Sequence, residues 1–179
     1  DRIRERVLRR DGTRCQVCGT SGDHQPLHVH HIQPFRSFPN RETANQLQNL
    51  ITLCPACHRQ AENTVRIRSG LAGFSYVLHN LAPLLLMCDG EDIGMHFDPN
   101  APLGDGKPTV VFYDNIPGGL GLSENLYALH DDFLRQGYET VSRCECEEGC
   151  PSCVGPVGEE ISGGKNETLA ILEALTDND

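Results

Sequence analysis

Residues 49–58, with the sequence NLITLCPACH, set the expected architecture of the first third of this chain. Cys54 and Cys57 lie in a C-x2-C arrangement, which is poor geometry for a disulfide but suits two thiolates on one zinc ion. An earlier pair, Cys15 and Cys18, has the same spacing, so four thiolates can close one tetrahedral site. A zinc ion held by four thiolates has no open coordination position, and its expected role is therefore structural.

A histidine-rich segment, LHVHHI at residues 27–32, lies between the two cysteine pairs. Its alternating pattern predicts a strand, with His28 and His30 on one face and His31 on the other. Because neighbouring histidines on a strand point in opposite directions, His30 and His31 must have different roles. Another histidine, His58, follows the second cysteine pair directly.

Taken in this order, the cysteine pairs, the double histidine, Asn49 and His58 resemble the HNH endonuclease family over about residues 3–62. This family has a ββα-metal motif, here of the type stabilised by four cysteines. The resemblance implies that His30 and His58 bind a catalytic Mg²⁺ or Mn²⁺ ion, and that His31 is the general base that takes a proton from water.

The same resemblance implies that Asn49 hydrogen-bonds the backbone and holds His31 in orientation, with Asn45 as a weaker candidate for that role. His28 is expected to be a bystander. The alternative to an enzyme is a DNA-binding or scaffolding module, because paired cysteine knuckles are more often binding zinc fingers. A redox protein that uses C-x2-C is a third possibility, and it predicts reversible disulfides without tightly held metal.

A second cysteine cluster, CECEEGCPSC, covers residues 144–153. Four thiols within ten residues predict another closed, structural zinc site. Its expected ligands are Cys144, Cys146, Cys150 and Cys153. With VVFYDNIPGGLGLSE at 110–124, this cluster resembles the C-terminal zinc-binding domain of MrfA-like DEAD/DEAH-box helicases over about residues 69–175. The resemblance implies a helicase motor, located before Asp1 in the same polypeptide or on a partner chain.

Charge divides the chain into two parts that suggest different partners. Residues 1–68 hold eleven arginines and six acids, a net charge of +5, whereas the remainder holds four basic residues and nineteen acids, a net of −15. The basic part can face DNA phosphates, and its arginines at 2, 4, 6, 9, 10 and 14 are candidate contacts. The nine cysteines, eight of them in close pairs without a secretory signal, favour metal sites in a cytoplasmic protein.

Hydrophobic spacing and turn formers predict the remaining elements. These are helices over 2–10, 45–53, 71–87 with a break near Pro83, and 123–137 with a Ser123 cap and a Gly137 stop; a buried strand over 108–114; a loop over 90–107; and a last helix over 166–175. The composition changes around residues 64–70, after a helix predicted to begin at His58. The turn PGGLGLSE lacks the lysine and spacing of a phosphate-binding loop, so it is expected to be a tight strand-to-helix turn.

We therefore expect an α+β protein of two small zinc-stabilised modules, the first a ββα-metal HNH fold. The expected domains are an HNH nuclease at 1–64 and a helicase-associated zinc-binding domain at 65–179. The expected function is metal-dependent hydrolysis of DNA phosphodiester bonds in repair or defence.

Overall fold

A computed structural model describes residues 2–23, 25–156 and 164–176. The chain forms two compact units, Asp1–Val65 and Arg66–Asp179. In chain order, the helices and strands are α1 (Arg2–Arg10), β1 (His28–His31), α2 (Arg41–Ala44), β2 (Leu50–Leu53), α3 (Pro55–Leu86), β3 (Ile93–Ala101), β4 (Lys107–Asp114), α4 (Leu122–Ala128), α5 (His130–Ser142) and α6 (Lys165–Thr176). The mixture of helices and strands confirms the predicted α+β class.

The first unit is built around an antiparallel hairpin of β1 and β2, in which His28 pairs with Leu53 and His31 with Leu50. Its buried core contains Leu27 and Leu53 together with Cys15 and Cys54. Two of these four core residues are cysteines of the first cluster. The apolar core of this unit is therefore small and depends on the cysteine site for much of its stability.

An arginine–aspartate pair joins the end of α1 to β2. Arg10 donates to the carbonyls of Leu47 (2.5 Å) and Leu50 (2.6 Å), and its Nε lies 2.7 Å from an oxygen of Asp11. The other oxygen of Asp11 accepts from the backbone N–H of Thr52, and the hydrogen bond from Arg10 chiefly lowers the pKa of this carboxyl. These contacts use the guanidinium of Arg10 structurally, so it is a poor candidate for phosphate binding.

The predicted helix over 45–53 is wrong. A short 3₁₀ turn covers Leu47–Asn49, and strand β2 follows at once. Two β-branched residues, Ile51 and Thr52, lie opposite β1 and favour the extended conformation. The leucine spacing that suggested a helix is thus overridden by pairing with the histidine-bearing strand.

Helix α3 is continuous over 32 residues, whereas a composition change near 64–70 and Pro83 suggested interruptions. Pro83 lies within the last turn of the helix, so its missing N–H omits one hydrogen bond only three residues before the helix ends at Leu86. The change in composition near 64–70 instead marks the point at which the helix passes from an exposed to a buried environment. From Ser69 to Ser75 every residue is buried, and at Gly70 an added Cβ would lie 2.8 Å from a methyl carbon of Ile171 in α6.

The second unit contains a hairpin of β3 and β4, although a loop was predicted over 90–107. β3 was not predicted because its segment contains Pro99 and several polar or turn-forming residues. The register shifts between Asp98 and Ala101, so Pro99 sits at an irregularity where no ladder N–H is required. The prediction of a fully buried β4 is also wrong, because Val111 and Tyr113 are partly exposed.

A carboxylate, not a phosphate, occupies the turn PGGLGLSE. Asp114 accepts hydrogen bonds from the backbone N–H groups of Leu120 (2.8 Å), Leu122 (3.1 Å) and Ser123 (2.7 Å). The bonds from Ser123 are the largest cause of the strongly lowered pKa of Asp114. The turn is therefore filled by the chain's own side chain, in keeping with the expected structural role.

The predicted single helix over 123–137 is two helices, α4 and α5, which meet at Leu129. The N-cap of α4 is Gly121 with a φ of 73°, rather than Ser123, since Asp114 supplies the capping oxygens from outside the helix. Gly137 does not stop α5 but lies inside it, where an added Cβ would come 2.8 Å from Leu78. Among all helices in the described ranges, none has the length and hydropathy needed to cross a bilayer.

Candidate metal centres and active site

The first cysteine cluster brings the Sγ atoms of Cys15, Cys18, Cys54 and Cys57 within 4.8 Å of one another. The Sγ atoms of Cys18 and Cys54 are 3.6 Å apart. Four sulfurs about 2.3 Å from a tetrahedral zinc ion lie about 3.8 Å from each other. The cluster thus has the dimensions of a zinc site, as the sequence spacing predicted.

The acidities of these thiols also suit a metal cation. The hydroxyl of Thr20, 3.2 Å from the sulfur of Cys18, is the main cause that lowers the pKa of Cys18 to about 6. By contrast, hydrogen bonding with Cys54 is the main cause that raises the pKa of Cys57 to about 12. Four adjacent sulfurs cannot all become thiolates by themselves, whereas a divalent cation among them removes the repulsion.

The second cluster has the same properties with a different spacing. The Sγ–Sγ distances are 3.5 Å for Cys144–Cys146, Cys144–Cys150 and Cys146–Cys153. Hydrogen bonding from the backbone N–H of Ser152 is the first cause that lowers the pKa of Cys150 to about 7, while burial raises that of Cys153 to about 12. Both predicted four-cysteine zinc-binding sites are therefore present.

A buried lysine that sequence reasoning missed supports the second cluster. Lys165 begins α6 and is only 9% exposed. Its ammonium group donates to the backbone carbonyls of Cys144 and Cys146, the latter at 2.7 Å, and its own N–H donates to Glu148. A zinc ion with four thiolates carries a net charge of −2, so a cation held at this position is favourable. The one feature of the sequence that could have indicated this role is that Lys165 is a rare basic residue in the acidic part of the chain.

Replacing Lys165 with methionine should weaken zinc binding at the second cluster by about tenfold, the lower end of the effect of outer ligand contacts. The variant loses the ammonium charge and both hydrogen bonds to the ligand backbone. Zinc transfer to a chromophoric chelator, followed over time in the full chain, measures the change. Lys107→Met, which removes an exposed lysine from β4, is the matched control. Equal zinc release from both variants would contradict the role of Lys165.

A histidine cluster lies on the face of the hairpin that meets the start of α3. The ring centroid of His58 is 5.0 Å from that of His30 and 4.9 Å from that of His28. The backbone N–H of His58 donates to the carbonyl of Cys54 (2.9 Å), which ties this imidazole to the first cysteine cluster. His28, expected to be a bystander, is thus a direct neighbour of His58.

A carboxylate joins this histidine cluster. Glu62, one helical turn after His58 on α3, has an oxygen 3.5 Å from His58 Nδ1. Burial, followed by repulsion from His58, lowers the pKa of His30, so its imidazole is neutral at pH 7 and has a lone pair for a metal ion. His30, His58 and Glu62 thus lie near one another, although their ligand atoms do not all come within 4.8 Å of one another. Sequence reasoning missed Glu62, although its i, i+4 spacing from His58 could have indicated it.

His31 points to the opposite face, and its ring contacts Asn45, the weaker of the two asparagine candidates. The His31 Nε2 atom is 3.0 Å from Asn45 Oδ1, and Phe35 approaches the ring edge-on with centroids 5.8 Å apart. Because an amide oxygen only accepts hydrogen bonds, this contact places the proton of neutral His31 on Nε2. Nδ1 is then left as the proton acceptor.

Asn49 hydrogen-bonds the backbone of the loop that follows His31. It is 7% exposed, its side-chain oxygen accepts from Gln33 N (2.8 Å), and its amide donates to Gln33 O (3.2 Å) and Ala44 O (2.9 Å). These bonds hold the loop between β1 and β2 from both sides. Asn49 thus bonds the backbone as expected, but the contact with the imidazole belongs to Asn45.

Comparison with known families divides the chain into two matches. Residues 15–64 match the family model described as HNH endonuclease, and residues 74–154 match the model described as MrfA Zn-binding domain. The first match contains the histidine cluster and the first cysteine site. The second match contains the β3–β4 hairpin and the second cysteine site.

Two curated proteins are similar to this chain. The ATP-dependent helicase YprA of Bacillus subtilis is 34% identical over 106 residues, which are 59% of this chain and 14% of the helicase. The protein MJ1572.1 of Methanocaldococcus jannaschii is 32% identical over 107 residues, which are 54% of this chain and 94% of that protein. The chain thus matches almost the whole of one relative and a small part of the other.

Solved structures give the same match. A crystal structure of the DUF1998 helicase MrfA bound to DNA has a TM-score of 0.55 and 33% identity, covering 62% of this chain and 14% of the helicase. A second structure of MrfA, bound to DNA and AMPPNP, has a TM-score of 0.50 with 33% identity over 58% of this chain and 14% of the helicase.

Proposed function

The chain belongs to the family of the MrfA zinc-binding domain and of MJ1572.1, and it carries an HNH endonuclease domain before that region, so we propose that it is a metal-dependent DNA endonuclease module of a helicase system. The HNH domain would cut the phosphodiester backbone. The second zinc-binding domain would associate the nuclease with a helicase motor, in the same polypeptide or on a partner chain.

The observation that carries this proposal is the 5.0 Å approach of the His30 and His58 rings beside a four-cysteine zinc site. The two imidazoles come from different elements, β1 and α3, and a zinc ion at the cysteines would hold these elements together. Glu62 adds a carboxylate on the same side. We propose His30 and His58 as ligands of a catalytic divalent ion, with Glu62 as a third ligand.

In the proposed reaction, His31 is the general base. Its Nδ1 takes a proton from water, because Nε2 is occupied by Asn45, and the resulting hydroxide attacks the phosphorus of the scissile bond. A bound Mg²⁺ or Mn²⁺ ion would stabilise charge on the phosphate and the leaving 3′-oxygen. Asn45 is a positioning residue that sets the tautomer, and Asn49 keeps the loop that carries it in place.

The DNA substrate and the helicase context come from the relatives. MrfA is bound to DNA in the solved structures, and YprA is an ATP-dependent helicase. This chain covers 14% of either protein, so its motor, its cytoplasmic location and a role in repair or defence remain part of the proposal. The net charge of +5 in residues 1–68 supports contact of the first unit with DNA.

A non-catalytic DNA-binding or scaffolding module is the second candidate. The observation that favours it is that, within the described ranges, only the two cysteine clusters bring three or more metal-binding atoms within 4.8 Å of one another. In that case, the zinc ions would hold the fold, and the histidines would pack against one another without a metal ion.

DNA cleavage by the full chain separates these two functions. We expect the zinc-loaded protein to nick supercoiled plasmid, or to cut single-stranded or branched oligonucleotides, when Mg²⁺ or Mn²⁺ is added. Without added Mg²⁺ or Mn²⁺, the same preparation should leave the DNA intact. Binding without cleavage of any of these DNA forms, with either ion, would favour the scaffold.

A further inference from the structure

A cavity of about 250 Å³ lies between α1 and the hairpin, on the face that His31 shares with Val29. Ile3, Val29 and Leu50 form its apolar lining. Four polar side chains also line it, three of them from α1, β1 and α2 and the fourth from the residue that follows α2. These polar residues are Arg4 of α1, His31 of β1, Arg41 of α2 and Asn45. The cavity is distinct from the histidine cluster, which lies on the opposite face of β1.

The polar lining of this cavity is basic. Two guanidinium groups face it together with the imidazole of His31, and none of the residues that line it carries a carboxylate. Arginine is the side chain best suited to bind a phosphate, because its planar N–H groups can donate two parallel hydrogen bonds. A cavity with two arginines and a histidine is therefore suited to an oxyanion.

Arg4 of the cavity has N–H donors that the fold does not use. Arg4 uses Nη2 to donate to the carbonyl of Leu27 (2.9 Å), a contact that fixes the direction of its guanidinium. Since the guanidinium has five N–H donors, this single bond leaves the others for a ligand. Arg10 of the same helix is different, because Asp11 and two backbone carbonyls already accept from it.

We propose that this cavity binds a backbone phosphate of the DNA strand that is cut, next to the scissile phosphate. The inference rests on the proposed nuclease function. Strand β1 is paired only with β2, so its other edge is open among the residues that the structure describes. A strand of DNA that crosses this edge would present the scissile phosphate at the edge itself, between His30 and His31, and a neighbouring phosphate to Arg4 and Arg41.

Binding measurements on the full chain test this subsite. Fluorescence anisotropy with a labelled oligonucleotide, without added Mg²⁺ or Mn²⁺, gives Kd at several salt concentrations. We expect Arg4→Gln and Arg41→Gln each to raise Kd by about tenfold, the effect of removing one charge-assisted hydrogen bond. The slope of log Kd against log salt should fall by about 0.9 for each phosphate of duplex DNA that the variant no longer neutralises. Arg135→Gln, which changes an exposed arginine of α5 outside the cavity and outside the basic first unit, is the matched control.

Inorganic phosphate is a second probe. Titration with phosphate should shift the NMR signals of the His31 ring in the wild-type chain and should leave them unchanged in the Arg4→Gln/Arg41→Gln double variant. If both single variants bind DNA as tightly as Arg135→Gln, the subsite is disproved. Because binding is measured without cleavage, weaker binding by a chain that never cuts DNA would reject the nuclease and retain the subsite. Cleavage by a chain with unchanged binding would reject the subsite alone.

Discussion

The His31→Ala variant should lose DNA cleavage by about 10² to 10⁴-fold, the contribution of a general base to a hydrolysis reaction. Without the imidazole, the attacking water loses the group that would accept its proton. The rate of plasmid nicking at saturating Mg²⁺ or Mn²⁺ measures this loss. His31 lies at the surface of the cavity rather than in the core, so zinc content and the thermal unfolding transition should stay at wild-type values.

Two further variants make this result specific. His96→Ala removes an exposed histidine from β3 in the second unit and should cleave DNA like the wild type. Asn45→Ala should lower the rate less than His31→Ala, and the ¹⁵N shifts of His31 should show the proton redistributed between Nδ1 and Nε2. Cleavage by His31→Ala at the wild-type rate would remove His31 from the mechanism.

The Cys15→Ser variant should unfold the first unit. Cys15 is 2% exposed and belongs both to the first zinc site and to the small core of this unit. Structural zinc contributes about 10–16 kcal/mol of apparent free energy in zinc-finger peptides, as much as the whole stability of an ordinary domain. Calorimetry of the full chain should therefore show the loss of the transition that belongs to the first unit.

The ninth cysteine provides the control for this experiment. Cys88 lies outside both clusters, so Cys88→Ser should keep both transitions and the wild-type amount of zinc. Prolonged treatment of the wild-type chain with a strong zinc chelator should reproduce the effect of Cys15→Ser. A Cys15→Ser protein with a cooperatively folded first unit would show that the cysteines do not determine its stability.

Metal sites were the most predictable part of the molecule. Thiolate spacing is a local property of the sequence, and the C-x2-C pairs predicted the first cluster before any long-range contact was known. The opposite directions of His30 and His31 followed equally from the alternation of side chains along a strand. The cysteine cluster and the two histidine directions are each determined by residues close together in the sequence, and each is present in the structure.

The features that could not be predicted depend on contacts between distant residues. Asn45 and Asn49 are four residues apart, and only the path of the chain between α2 and β2 decides which one reaches His31. Asp114 caps α4 from the other side of a glycine-rich turn, whereas the sequence pattern predicted Ser123 as the cap. Pro99 masked β3 because its place at a register shift is visible only once both strands are paired.

The backbone N–H of His58 donates to Cys54. The stability of the first unit and the position of the His58 imidazole would therefore both depend on one zinc ion. A copy of this chain that is starved of zinc, or whose thiols are oxidised, lacks the metal ion that would hold the segments of His58 and His30 together. On the proposed function, such a defective copy would be unable to cut DNA. If the proposed function holds, a cell would thus be protected from damaged copies of this protein by the same bonds that assemble intact ones.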